Sequence, residues 1–166
     1  KDYIADIIET YKDIATQKAA NKAVIVYESV WKHTQQIAES LAEGFSDADM
    51  DVKVYQLSDT KSSIVMREIM DAKVVCIGSG TYNNVMAPSV AAFLEHIRPC
   101  KFKNKKGLAF AAYGWFNQVA KEIDTRMQQS GIESCHDVIN QCYTPSDDQL
   151  EDYFNVAKEI AKKCQE

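Results

Sequence analysis

Apolar residues recur along this 166-residue chain in two alternating patterns. Residues 23–27 (AVIVY), 73–78 (KVVCIG) and 106–113 (KGLAFAAY) are short runs with almost no polar break. Such runs read as strands buried on both faces, as in parallel sheets. Residues 51–57 (DVKVYQL) alternate and read as a strand with one wet face, and 132–143 hold a fifth strand. Between the runs the spacing turns helical. Ile37, Ala38, Leu41, Ala42 and Phe45 share one face, and 61–70 form a further helix. Pro88 opens a helix running to about Arg98, and 118–130 form a helix stopped at Gly131. The closing helix, 146–164, turns Leu150, Phe154, Ala157, Ile160 and Ala161 inward. Ahead of all this, 2–19 place Ile4, Ile7, Ile8, Tyr11, Ile14 and Ala15 on one helical face. Residues 1–22 thus read as a flap or linker helix, and 23–166 as the domain.

Strand and helix alternate five times. That order predicts an α/β fold, a doubly wound three-layer sandwich around a five-stranded parallel sheet of order 2-1-3-4-5. In such sheets ligands bind beyond the carboxyl ends of the strands. Three loops leave those ends: 28–34, 79–87 and 113–118. The first joins a strand to a helix N-terminus, where free N–H groups and the positive end of the helix dipole suit an anion. Ser29 and Thr34 add hydroxyls, so this loop is expected to hold a phosphate. All three loops are rich in hydroxyl, amide and aromatic side chains, which suits a phosphorylated aromatic ligand.

Composition narrows the choice. Apolar residues at 46% and charged residues at 26% describe a folded globular chain. The net charge of −5 argues against a nucleic-acid partner. No apolar run approaches the ~20 residues that cross a bilayer, and no signal peptide opens the chain. Five cysteines without a CxxC suggest neither a disulfide framework nor a zinc site, so a reducing cytoplasm is the expected compartment, with Cys76 a buried thiol. Three scattered histidines give no metal-ligand spacing. The chain starts at Lys1 rather than methionine, as a piece of a longer protein would.

Several chemistries lack their motifs. GxxxxGK[ST] and GxSxG do not occur. Gly78-Ser-Gly80 begins a GxGxxG, but Asn83 stands at the third glycine. A phosphorylated receiver domain would want an aspartate ending the third strand, where Gly78-Ser79 stand instead. Cys135 and His136 are neighbours on a strand and face opposite sides, so they form no dyad.

Three loops together carry a resemblance. Tyr27-Glu-Ser-Val-Trp-Lys-His-Thr34 resembles the phosphate loop of the flavodoxin family, and more closely that of the flavodoxin-like domain of flavo-diiron proteins. Gly78-Ser-Gly-Thr-Tyr-Asn-Asn84 and Ala112-Tyr-Gly-Trp115 resemble the second and third loops of the same family. The helix with Tyr11 before a Lys22-led strand resembles its interdomain linker. The resemblance implies FMN as cofactor, with its phosphate among Ser29, Val30, Trp31, Lys32, His33 and Thr34. The isoalloxazine would lie between the second and third loops, among Ser79, Gly80, Thr81, Tyr82, Asn83, Asn84, Tyr113, Gly114, Trp115 and Phe116. Tyr82, Tyr113 and Trp115 would stack on or flank the ring, and Asn83 and Asn84 would bond its polar edge.

The function so implied is electron transfer within an oxygen or nitric oxide reductase, with no catalytic residue and no metal ligand in this chain. A di-iron domain of the same or a partner chain would accept the electrons, and rubredoxin or a reductase would supply them; the resemblance leaves a homodimer open. The other readings are a degenerate domain that binds no flavin and serves as a docking module, and a free-standing nicotinamide-dependent reductase. The chain departs from the family pattern at Lys32, which replaces a glycine, and at His33, Gly80, Val85, Ala112 and Phe116. If position 32 needs a left-handed backbone, lysine costs on the order of 1 kcal/mol there.

Overall fold

A computed structural model describes residues 2–165 of the chain. Seven strands and six α-helices alternate: α1 (Asp2–Thr16), β1 (Lys22–Glu28), α2 (His33–Asp47), β2 (Asp51–Gln56), α3 (Ser62–Met70), β3 (Val74–Tyr82), β4 (Val85–Met86), α4 (Pro88–Ile97), β5 (Lys106–Tyr113), α5 (Val119–Gln129), β6 (Glu133–Ser134), β7 (Ile139–Cys142) and α6 (Asp147–Gln165). A 3₁₀ turn, Arg98–Cys100, follows α4.

The sheet runs β2-β1-β3-β5-β6, all parallel, which is the expected 2-1-3-4-5 order of a flavodoxin-like doubly wound fold. The unbroken apolar runs have a direct cause. Along β1, Val24 and Val26 face one helical layer, whereas Ala23, Ile25 and Tyr27 face the other. The first layer is α3, α4 and α5, represented by Ile69, Phe93 and Ile123; the second is α2 and α6, represented by Leu41, Phe45 and Ile160. A strand covered on both sides has no wet face, so the period of two disappears from its sequence. Cys76 lies buried in the second layer, as expected.

Three elements differ from the sequence reading. β3 runs on to Tyr82, beyond the expected end at Gly78, and folds back through an antiparallel pairing with β4. The fifth strand is broken into β6 and β7, both paired to β5. Between the pairings Gly107–Ser134 and Phe110–Ile139, β5 advances three residues and the outer strand five. The two extra residues cannot stay in the ladder; the Cys135 N–H still reaches the Gly107 carbonyl at 3.0 Å, and the segment from His136 to Val138 bulges out. Third, α1 ends at Thr16 rather than 19, and its apolar side chains Tyr3, Ile4, Ile8, Tyr11 and Ile14 stay exposed. Among the described residues no helix is long and apolar enough to cross a membrane.

Candidate functional site

At the carboxyl edge of the sheet, the ends of β1, β3, β5 and β7 surround a cleft of about 270 Å³. That is just below the ~300–1,000 Å³ usual for ligand pockets. Of the expected residues, Ser29, Val30, Trp31, His33, Thr34, Gly80, Thr81, Tyr82, Tyr113, Gly114 and Trp115 line it. Ala112 and Tyr143 complete the wall.

The first loop is shaped for an anion. α2 starts at His33, and its N-cap Lys32 is left-handed, with φ 66° and ψ −3° and no side-chain cap. The Gln36 N–H makes the opening helical bond to the Lys32 carbonyl at 2.9 Å. The N–H groups of the preceding turn therefore have no acceptor within the helix and point to the loop. Thr34 is buried beside them, whereas Trp31 stands 80% exposed on the rim.

The second loop supplies an unsatisfied donor. Thr81 Oγ1 is buried and has no hydrogen-bond partner, yet Thr81 lines the cleft. A buried hydroxyl left alone costs about 1–3 kcal/mol, so this position favours a polar partner from the cleft, a water or a ligand atom. Next to it, burial and the charge of Glu28 push the Tyr82 phenol up. Glu28 itself is buried, its carboxylate ringed by hydrogen-bond donors at the base of the first loop.

Five expected residues fall outside the lining. Asn83 and Asn84, at φ 45° and 68°, form the two-residue turn of the β3–β4 hairpin. Such a turn demands positive φ at both positions, which asparagine tolerates. The Asn84 carboxamide oxygen is taken up by Trp115, whose Nε1–H donates to it at 3.0 Å. This bond ties the second loop to the third across the mouth, with Trp115 78% exposed. Ser79 is fully buried; it donates to the Gly80 carbonyl at 2.7 Å and accepts from the Ala87 N–H at 2.8 Å, which fixes the start of α4. Lys32 projects into solvent, and Phe116 packs against the core layer of α4 and α5.

The sequence reading missed Tyr143. Its backbone is left-handed at φ 56°, and its N–H donates to the Tyr113 carbonyl at 2.8 Å. Beside it, Thr144 Oγ1 meets His33 Nε2 at 3.1 Å, joining the turn after β7 to the start of α2 beside the first loop. The rule that ligands sit beyond strand carboxyl ends points to this turn too.

Fold and cleft together define a flavodoxin-type α/β domain, and the chain belongs to the flavodoxin family, which it matches over residues 25–164. Within that family it is closely related to the flavodoxin module of flavo-diiron proteins. It is 38% identical over 127 residues to the nitric oxide reductase of Moorella thermoacetica, a match covering 76% of this chain and 32% of that protein. It is 32% identical over 165 residues to the anaerobic nitric oxide reductase flavorubredoxin of Pectobacterium carotovorum, covering 98% and 33%. The solved rubredoxin oxygen:oxidoreductase of Desulfovibrio gigas superposes with a TM-score of 0.94 at 32% identity, over 99% of this chain and 41% of that one. The chain thus spans between a third and two fifths of the length of these relatives.

Proposed function

We propose that this chain binds FMN in the cleft and works as the electron-transfer module of a flavo-diiron-type oxidoreductase. The observation that carries the reading is the conjunction, in one cleft, of an open helix N-terminus, a buried unpartnered Thr81 hydroxyl and four aromatic walls. The first suits a phosphate, the second a polar atom of the ligand, and Tyr82, Tyr113, Trp115 and Tyr143 suit a planar ring. FMN, when bound, supplies the one- or two-electron chemistry, and the protein supplies binding, orientation and electrostatics. The chain's own part is then clear. Ser29, His33 and Thr34 hold the phosphate end. The aromatics exclude water from the ring. The protonated Tyr82 offers a donor.

Residues 1–22 act as the linker to an upstream di-iron domain, which takes the electrons, and a rubredoxin-like or reductase donor supplies them. The relatives named as nitric oxide reductases and as rubredoxin oxygen:oxidoreductase support this assignment. A ligand that binds only the native state must raise its melting temperature, by about 2.7 kcal/mol of stability at a hundredfold excess over Kd. FMN is expected to raise the melting temperature of the chain more than riboflavin does, because riboflavin lacks the phosphate. No rise with either would favour the docking-module reading.

A further inference from the structure

Glu28 closes β1 and is only 8% exposed. Four neutral donors ring its carboxylate. Oε1 accepts from the Ser29 N–H at 3.0 Å, Gln56 Nε2 at 3.0 Å and Ser58 Oγ at 3.4 Å, and Oε2 accepts from Ser89 Oγ at 3.1 Å. These donors come from three places: the cleft loop itself, the end of β2 with the turn after it, and the first turn of α4. The Gln56 amide also reaches the Ser29 carbonyl at 3.5 Å. Both backbone polar groups of Ser29, the first residue of the cleft lining, are therefore held by this cluster. Glu28 itself does not line the cleft.

A buried carboxylate with no cation beside it is costly and needs its full set of donors. Here those donors are parts of the site's frame. The charge works against the site's ligand, since an anion beneath a phosphate loop repels phosphate. The hydrogen bonds work for it, since they fix where the loop begins. These two effects predict opposite signs when Glu28 is replaced.

We propose that Glu28 is a positioning residue: its carboxylate pins Ser29, β2 and α4 into one frame and so sets the geometry of the phosphate loop. The ligand it serves rests on the FMN reading; the loop it holds does not. Glu28→Gln keeps an acceptor for Ser29, Gln56 and Ser58 and can donate its amide to the Ser89 hydroxyl, which accepts as well as donates. Glu28→Ala removes every partner.

The test compares wild type, E28Q and E28A by amide hydrogen exchange of the ligand-free chain and by titration with FMN and with riboflavin. Exchange at Ser29 is expected to rise at least about tenfold in E28A and to stay near wild type in E28Q. FMN affinity falls about tenfold in E28A, does not fall in E28Q, and riboflavin affinity changes less in both. Equal exchange at Ser29 in all three proteins overturns the proposal. So does a gain of FMN affinity shared by E28Q and E28A, which would make the charge, not the geometry, the operative feature. Should E28A fail to fold, the double variant Q56A/S89A loosens the same carboxylate and is expected to show the same rise at Ser29; an unchanged Ser29 there overturns the proposal. A wild-type chain that binds no FMN removes the ligand assignment, while the exchange data still decide the role of Glu28.

Discussion

Lys32 holds a left-handed conformation that an L-residue adopts at a cost of about 1–2 kcal/mol, and its side chain neither caps α2 nor enters the cleft. Lys32→Gly is therefore expected to stabilise the ligand-free chain by about 1 kcal/mol, seen as a higher urea midpoint at unchanged slope. An unchanged midpoint would contradict the strain. This position was legible, because a family glycine marks a backbone that wants positive φ. Asn83 and Asn84 were not. Asparagine serves both tight turns and ligand hydrogen bonding, and only the β4 pairing shows that the turn claims them. Phe116 was placed among the neighbours of the ring, but it is half-buried against the α4–α5 layer. A loop aromatic does not declare in sequence which way it turns.

The end of α5 was the most readable feature at the level of elements. α5 stops where Gly131 predicts. The Ile132 N–H reaches the Met127 carbonyl at 3.1 Å and the Gly131 N–H that of Gln128 at 3.0 Å, with Gly131 at φ 95°. A Cβ there would lie 2.3 Å from the Phe102 carbonyl oxygen. Gly131→Ala is expected to lose more than about 1 kcal/mol, since a steric clash adds to the backbone strain. A urea midpoint equal to wild type would refute that geometry. The broken fifth strand was the least readable element. β6 has two residues and β7 four, and two extra residues separate their registers. No hydrophobic period survives in pieces so short, and Tyr143, which the break helps to place after β7, went unread with it.

For the molecule as a whole, the two edges of the sheet do different work. The carboxyl edge holds the cleft. The amino edge holds an ion-pair cluster in which Lys22, 8% exposed at its side chain, meets Glu68 at 2.7 Å and Asp71 at 2.8 Å. Burial pulls the Lys22 ammonium down, but its bonds to Asp71 and Glu68 outweigh this and raise it; its contribution is full below 10.5 and is lost as pH rises through the raised value. The bond from Lys22 lowers the Glu68 carboxyl against the opposing pull of burial. That contribution is present above 4.5 and is lost as pH falls through the lowered value. Acid below pH 4.5 should thus reduce the urea midpoint of wild type more steeply than that of Glu68→Gln. Parallel pH profiles would show that the pair adds nothing. The alternation of elements made the central sheet legible, because each strand covered on both faces announces itself by an unbroken run. The central claim, a flavin held at the opposite edge, is tested most directly by the visible absorption spectrum of the purified chain after incubation with FMN and exhaustive dialysis. A flavin band that survives dialysis is the predicted result. A colourless protein that fails to retain FMN would contradict the account.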